Sequence, residues 1–170
     1  MYQIGDLIIY GSYGVCKVET IGKIEIPGVD TDRIYYTLCP LYERGKVYTP
    51  TDTNVFMRPI ITNAEAKQLI AIIPSISEDE YDSSSGKLME DHYQESMQTY
   101  DCVSLIKMIK TVYTKKVITV GQGKKLGLMD ERFMKKAEDL LYGEFAVVLG
   151  IPKEDVKSYI EDSVKEKITN

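Results

Sequence analysis

The chain is 170 residues long, enough for one good core or two small ones, because domains commonly run from about 50 to 200 residues. Its composition, 44% apolar and 28% charged, is typical of a folded protein and excludes disorder throughout. The net charge of -5 argues against indiscriminate binding to nucleic acid. No stretch approaches the roughly 18 apolar residues that span a bilayer, and the first residues lack a signal-peptide pattern, so we expect a cytoplasmic protein that contacts no membrane.

The predicted elements begin with short strands between Gln3 and Met57. β-branched or aromatic runs alternate there with turn residues such as Gly11–Gly14 and Pro27–Asp30, which is typical of a small antiparallel sheet. Five strands are predicted, over Leu7–Tyr10, Gly14–Ile21, Arg33–Cys39, Gly45–Thr49 and Val55–Met57. Five strands in about 60 residues without a helix predict an SH3-like or Tudor-like barrel, a fold that mostly serves binding.

Helices follow the strands. Asn63 is the predicted cap of a short helix that ends at Ile72, and Ser75–Lys87 is rich in Ser, Asp and Glu, which is typical of a linker. Later helices are predicted over Leu88–Gln98, over Cys102–Lys116 with Asp101 as cap, over Met129–Leu149, and from Pro152 to about Val164. Val117–Lys125 is predicted as a loop because Gly121 and Gly123 break regular structure.

These elements predict an α+β fold. Residues 1–62 form a Tudor-like or SH3-like small β-barrel, residues 63–87 a short helix and acidic linker, and residues 88–170 an all-helical domain of about four helices.

The residues that could carry catalysis are sparse. Cys16, Cys39 and Cys102 show no spacing suited to a zinc site or a redox pair, and His92 is the only histidine. Gly121–Lys125 lacks the first glycine and the final Ser or Thr of a phosphate-binding loop. The sequence therefore predicts a protein that is no enzyme and has no metal, cofactor or small-molecule substrate.

Charge is distributed unevenly along the chain. Residues 1–86 carry 7 basic and 12 acidic side chains, whereas residues 107–136 carry 9 basic side chains against Asp130 and Glu131. We call residues 107–136 the basic island. On helical wheels Lys107 and Lys110 lie outside the apolar stripe formed by Leu105, Ile109 and Val112. Arg132, Lys135 and Lys136 lie opposite the stripe formed by Phe133, Ala137, Leu140, Leu141 and Val148.

Two interpretations of these cations are open. They form a solvated helix face, or they contact DNA phosphates with an affinity that depends on salt and hardly on base sequence. The crowding of the cations and the flexible loop between two basic helices favour phosphate contact. The predicted DNA-contacting residues are Lys107, Lys110, Lys124, Lys125, Arg132, Lys135 and Lys136.

The barrel has two possible binding modes. An exposed strand edge can extend the sheet of another protein through main-chain hydrogen bonds. An aromatic cage for a methylated cation is the alternative, for which the candidates are Tyr10, Tyr13, Tyr35, Tyr36 and Tyr48. The strand edge is favoured, because tyrosines in strands more often serve in packing.

The succession of motifs resembles the CarD-like regulators. Ile4–Tyr10, Tyr13–Val15 and Tyr35–Leu38 are similar to the opening of these proteins and to the related domain of transcription-repair coupling factors. In the second half the segments Tyr93–Glu95, Thr99–Asp101, Leu105–Ile106, Ile109–Lys110, Gly123–Leu126, Asp130–Phe133, Ala137–Glu138 and Glu144 follow the CarD pattern in order.

The resemblance implies a Tudor-like domain that binds the RNA polymerase β subunit and a helical domain that contacts upstream promoter DNA and favours the open complex. Carried onto this chain, it places the polymerase surface at Lys23, Ile24, Ile26, Lys46 and Tyr48.

This chain departs from the family pattern at two places. Many members carry a tryptophan that wedges into the minor groove, whereas this chain has no Trp. Leu88 or Met89 is the candidate for a weaker wedge, and packing of these residues in the helical core is the favoured alternative. Glu90, Asp91 and His92 replace arginines that are usual before the tyrosine at Tyr93. Two hypotheses follow: a stabiliser of the open promoter complex, or an adaptor that binds RNA polymerase with little direct contact to DNA.

Overall fold

The computed structural model describes residues 1–169, with side chains described as far as Glu166. The described chain divides into two compact units, the first over Met1–Ile61 and the second beginning at Thr62. The first unit holds a five-stranded antiparallel sheet and the second holds five α-helices, so the predicted α+β fold with an N-terminal Tudor-like β-domain is confirmed.

The sheet unit is built from five strands, in the order β4-β3-β2-β1-β5. They are β1 (Leu7–Tyr10), β2 (Val15–Gly22), β3 (Tyr35–Pro40), β4 (Val47–Pro50) and β5 (Met57–Pro59). Each strand lies within two residues of its predicted bounds. β4 and β5 are the outer strands, and each ends in a proline, which cannot donate to a ladder and suits a strand at a sheet edge.

The core of the sheet unit follows the two-residue period of its strands. Ile8, Cys16, Val18 and Leu38 are fully buried, and Tyr10 packs beside them. The Tyr10 hydroxyl donates a 3.0 Å hydrogen bond to Thr49 Oγ1, which satisfies two buried polar groups at once. Burial raises the pKa of the Cys16 thiol to about 12, with smaller contributions from Glu43 and Cys39, so this thiol stays protonated.

The helical unit contains five helices and two short 3-10 turns. The helices are α1 (Asn63–Ile72), α2 (Gly86–Ser96), α3 (Cys102–Gly121), α4 (Leu128–Leu149) and α5 (Val156–Thr169). The 3-10 turns cover Ile73–Ser75 and Lys153–Asp155. Predicted inward residues Leu105, Val112, Phe133, Ala137 and Leu141 are buried, whereas Ile109, Leu140 and Val148 are half-buried.

The cap of α1 differs from the prediction by one residue. Thr62 Oγ1 accepts from the Glu65 N–H at 3.1 Å, and Glu65 Oε1 accepts from the Thr62 N–H at 3.2 Å, which is a complete capping box. Asn63 instead donates its side-chain amide to the Val148 carbonyl at 3.0 Å, which joins α1 to the end of α4.

Two other predicted boundaries in the helical unit were wrong. Val117–Gly121 is helical and belongs to α3, because β-branched residues lower helix propensity by only tenths of a kcal/mol each, and the helix stops where Gly123 takes a φ of 76°. Pro152 precedes a 3-10 turn, and α5 begins only at Val156. The predicted cap Asp101 is confirmed, since its carboxylate accepts from the Ser104 N–H at 3.0 Å.

Candidate functional site

The candidate site of the helical unit is the basic island, on α3, the following loop and α4. The stretch between Asp101 and Asp130 contains six lysines and no carboxylate side chain. Five of the cations in the island are exposed and have no carboxylate oxygen within 4.0 Å among the described residues. These are Lys107, Lys116, Lys124, Lys125 and Lys136. Lys116 was absent from the predicted set, although its place in the island was visible in the sequence.

One acidic residue of the island is hidden from solvent. Asp130 is buried, accepts a 2.5 Å hydrogen bond from the Tyr93 hydroxyl, and lies 3.2 Å from the Lys115 ammonium. Burial, reinforced by Asp130, raises the pKa of the Tyr93 hydroxyl, which therefore stays a donor. Because Asp130 and Lys115 neutralise each other, Glu131 is the one acidic side chain that the island presents to solvent.

Three of the predicted DNA-contacting residues already have partners. The Lys110 ammonium donates to the carbonyls of Ile73 and Ile76 at 2.8 and 2.5 Å, at the two ends of the 3-10 turn that follows α1. It therefore points inward, and the predicted outward orientation was wrong. Arg132 Nη2 lies 3.3 Å from Glu90 Oε1, and Lys135 lies 3.8 Å from Asp139 one turn along α4.

Part of the predicted acidic linker packs along α3. The Asp79 N–H donates to Thr111 Oγ1 at 2.9 Å, and the Thr114 hydroxyl donates to Glu78 Oε1 at 3.3 Å. On α2, His92 hydrogen-bonds the Asp79 carboxylate, and the Tyr81 ring stacks on the imidazole at 4.1 Å between centroids. Glu78–Asp82 thus forms an acidic segment on one side of α3.

The electrostatic environment of Asp79 favours the charged form of its carboxyl group. Burial acts to raise the pKa of Asp79, but the Tyr81 N–H, the His92 hydrogen bond and the charges of His92 and Lys107 outweigh burial and lower it. A carboxylate held in this way beside Lys107 opposes the binding of another anion at the same side of α3.

The two candidate wedge residues differ in exposure. Leu88 lies in the first turn of α2 and is 54% exposed, whereas Met89 is 4% exposed and packs in the helical core. A wedge has to reach its ligand, so Leu88 is the only one of the two that is placed to act as one.

The predicted polymerase residues belong to two segments of the sheet unit, one after β2 and one at β4. Lys23 follows the end of β2, where Gly22 pairs with Tyr35, while Lys46 precedes β4 at the opposite end of the β3–β4 ladder. Tyr48 is exposed on β4, whereas Ile24 and Ile26 are half-buried. Lys46 and Tyr48 therefore lie beside or on the edge strand β4, whereas Lys23, Ile24 and Ile26 follow β2, which β3 separates from β4.

Lys46 belongs to a small polar cluster that sequence reasoning missed. Its ammonium lies 3.0 Å from the Glu19 carboxylate, and the Cys39 thiol donates to the same carboxylate at 3.2 Å. The hydrogen bonds from Cys39 and Lys46 lower the pKa of Glu19. β2 and β3 pair antiparallel with Lys17 opposite Cys39, which brings Cys39 near Glu19. The sequence alone does not give this register, so it could not predict the cluster.

The tyrosines considered for an aromatic cage are mostly core residues. Tyr10, Tyr35 and Tyr36 are buried, whereas Tyr13 and Tyr48 are exposed. Three of the five candidates are thus unavailable to a ligand, and the strand edge of β4 is the better candidate for binding.

Comparison with protein families supplies one match. Residues 2–61 match the model of the CarD-like/TRCF RID domain, which covers the sheet unit. Domains of this family mediate interaction with the RNA polymerase β subunit. A search of curated proteins returned no match. Among the residues that the structure describes, no helix is long and apolar enough to cross a membrane.

Proposed function

We propose that this chain, whose residues 2–61 match the CarD-like/TRCF RID domain, is a transcription regulator that stabilises the open promoter complex. The sheet unit binds the RNA polymerase β subunit, and the basic island contacts upstream promoter DNA through its phosphates. The single observation that carries the DNA contact is the group of five exposed lysines without carboxylate partners.

The sheet edge supports the polymerase contact. β4 has a neighbour on one side only, so its outer main-chain groups are available to a strand of the partner. Tyr48 and Lys46 stand on or beside this strand, where they add side-chain selectivity to the main-chain hydrogen bonds.

The proposed mechanism needs binding energy alone. A protein that binds polymerase on open promoter more tightly than on closed promoter shifts the equilibrium by the difference in affinity, and about 1.4 kcal/mol corresponds to a tenfold shift. Tethering to polymerase raises the local concentration of the basic island near DNA, so weak phosphate contacts suffice. We propose no catalytic step and no cofactor, and a cytoplasmic place of action beside RNA polymerase.

Open-complex lifetime tests the proposal. The full chain is added to bacterial RNA polymerase on a promoter fragment, and dissociation is followed after a competitor challenge. We expect a longer lifetime with the wild-type chain and a clear loss of that effect in K107E/K116E/K136E. The matched control is Lys67→Glu, a lysine on α1 outside the island, which should act like wild type. An unchanged lifetime with wild-type protein that demonstrably binds polymerase would overturn it.

A second function is favoured by a specific set of contacts. Glu90 pairs with Arg132, and Glu78–Asp82 lies along α3, so part of the basic island is already neutralised within the helical unit. The chain would then act as an adaptor that holds polymerase with little direct contact to DNA. If the triple charge reversal leaves the lifetime unchanged while Tyr48→Asp abolishes the effect, the adaptor function is correct.

A further inference from the structure

The last turns of α3 carry an exposed apolar stripe that has no role in the function proposed above. Tyr113, Val117 and Val120 are 59%, 54% and 57% exposed, and they lie within about 60° of one another when residues advance by about 100° each. Cys102 and Ile106, on the same side of α3 two turns earlier, are buried. The apolar side of the helix thus continues beyond the part that the helical unit covers.

The surroundings of this stripe are cationic. Lys116 lies on α3 beside it, and Lys124 and Lys125 follow in the loop that joins α3 to α4. Lys115 lies 3.2 Å from Asp130, so the start of α4 runs beside these turns of α3, and Leu128 at that start is 85% exposed. We call residues 113–128 the hairpin tip. It contains four lysines and no carboxylate side chain.

We propose that the hairpin tip binds unpaired nucleotides at the edge of melted DNA, with the Tyr113 ring against a base and the lysines on phosphates. This inference rests on the proposed function and adds to it the element that meets single-stranded DNA. Proteins that bind single strands combine an aromatic platform with a cationic track, because every base has a face that can stack.

The dimensions of the stripe fit this ligand better than a protein partner. From Tyr113 to Val120 the helix rises about 10 Å at about 1.5 Å per residue, which matches two to three nucleotides at about 3.4 Å each along one strand. Three partly exposed side chains supply far less than the roughly 800 Å² that each partner buries in a stable protein interface. Glu78 and Asp130 contact the tip at Thr114 and Lys115, whereas Lys116, Lys124 and Lys125 are exposed without a carboxylate within 4.0 Å among the described residues and suit a polyanion.

A pair of matched DNA probes tests the proposal. Fluorescence anisotropy compares the full-length protein on a blunt duplex and on the same duplex with a central unpaired bubble. The test variant is Y113A/V117A/V120A, in which alanine keeps the helix because it has the highest helix propensity. Val103→Ala is the control, since Val103 is an exposed valine on the same helix outside the tip. The second variant is K116Q/K124Q/K125Q.

The expected result separates stacking from charge. The apolar variant should lose roughly fivefold or more in affinity for the bubble, the amount expected when one stacked base is lost, while its affinity for the duplex stays unchanged. The lysine variant should weaken binding to both DNAs and reduce the salt dependence of each. Val103→Ala should behave like wild type.

Three results would overturn the inference. The first is bubble binding by the apolar variant equal to wild type. The second is a wild-type chain that forms dimers while the apolar variant is monomeric in light scattering, because the stripe would then bind a second copy. The third is loss of polymerase capture by the apolar variant with its bubble affinity intact. If wild-type protein lengthens open-complex life yet shows no bubble preference, only this inference fails, and the proposed function stands.

Discussion

The features that distinguish the sheet unit are in its core, whereas those that distinguish the helical unit are on its surface. In the sheet unit the diagnostic residues are largely buried: Ile8, Tyr10, Tyr36 and Leu38 alternate into the core, and the family match covers this unit. In the helical unit the feature that distinguishes it from any helical core is the arrangement of its surface charge. A core is constrained by packing, whereas surface charge varies more freely, so the first unit is easier to assign from sequence.

The largest expected effect lies in the core of the sheet unit. Leu38→Ala removes a fully buried side chain from the centre of β3 and should lower the free energy of unfolding by about 2–5 kcal/mol. Polymerase capture should fall with it, because the β4 edge depends on β3 for its hydrogen bonds. Urea denaturation followed by circular dichroism measures the change.

The control for this substitution is Ile34→Ala. Ile34 precedes the same strand and is exposed, so its replacement should change stability by less than about 0.5 kcal/mol. If the two alanine variants were equally stable, the assignment of Leu38 to the core would be contradicted.

A smaller loss of folding stability should follow from disrupting the polar cluster of Tyr93, Lys115 and Asp130 in the helical unit. Asp130→Ala leaves the Tyr93 hydroxyl without its acceptor and Lys115 without its counter-charge, which should cost about 1–3 kcal/mol. Tyr93→Phe removes the donor of the same hydrogen bond. The double variant Y93F/D130A should therefore lose less folding stability than the sum of the losses in the two single variants. Strict additivity in thermal or urea unfolding would show that the two groups do not interact.

Acid should destabilise the helical unit through two carboxylates. Burial acts to raise the pKa of Asp101, but its hydrogen bonds from Ser104 and Thr99 outweigh burial and lower it, and Asp79 is also lowered. A carboxyl whose pKa is lower in the folded state adds stability above its unfolded pKa near 4 and loses it as pH falls through the folded pKa. Unfolding measured between pH 7 and pH 3 should show this loss.

Asp101→Asn sharpens the test of the acid effect. Asparagine caps helices about as well as aspartate, so stability near neutral pH should change little, while the decrease toward pH 3 should become shallower. A variant that matches the wild-type profile at every pH would exclude Asp101 from the acid response.

Local rules explain which features the sequence could predict. The strand positions follow from alternation and turn glycines, and the Asp101 cap follows from its place before an apolar run. The predicted loop over Val117–Lys125 rests on Gly121 and Gly123, but α3 continues through the β-branched residues to Gly121, and the exposed stripe lies partly in that extension. The inward direction of Lys110 depends on carbonyls 34 and 37 residues away, which no local pattern contains.

The smallest expected effects separate two lysines one turn apart on α3. Lys107 is exposed, whereas Lys110 donates to the carbonyls of Ile73 and Ile76. Lys107→Gln should weaken DNA binding and reduce the slope of log affinity against log salt by about 0.9, the value for one phosphate contact on duplex DNA. Stability should stay unchanged.

Lys110→Gln should produce the opposite pattern. Lys110 is half-buried, so the loss of its hydrogen bonds should cost about 0.5–1.5 kcal/mol of folding stability, while the salt slope of DNA binding stays at the wild-type value. Both variants remove the same charge from the same helix, so net charge cannot account for a difference between them. Equal salt slopes for the two variants would mean that the position of a lysine on α3 does not affect DNA binding. The exposed Lys107 and the internally bonded Lys110 would then not differ in their contact with DNA.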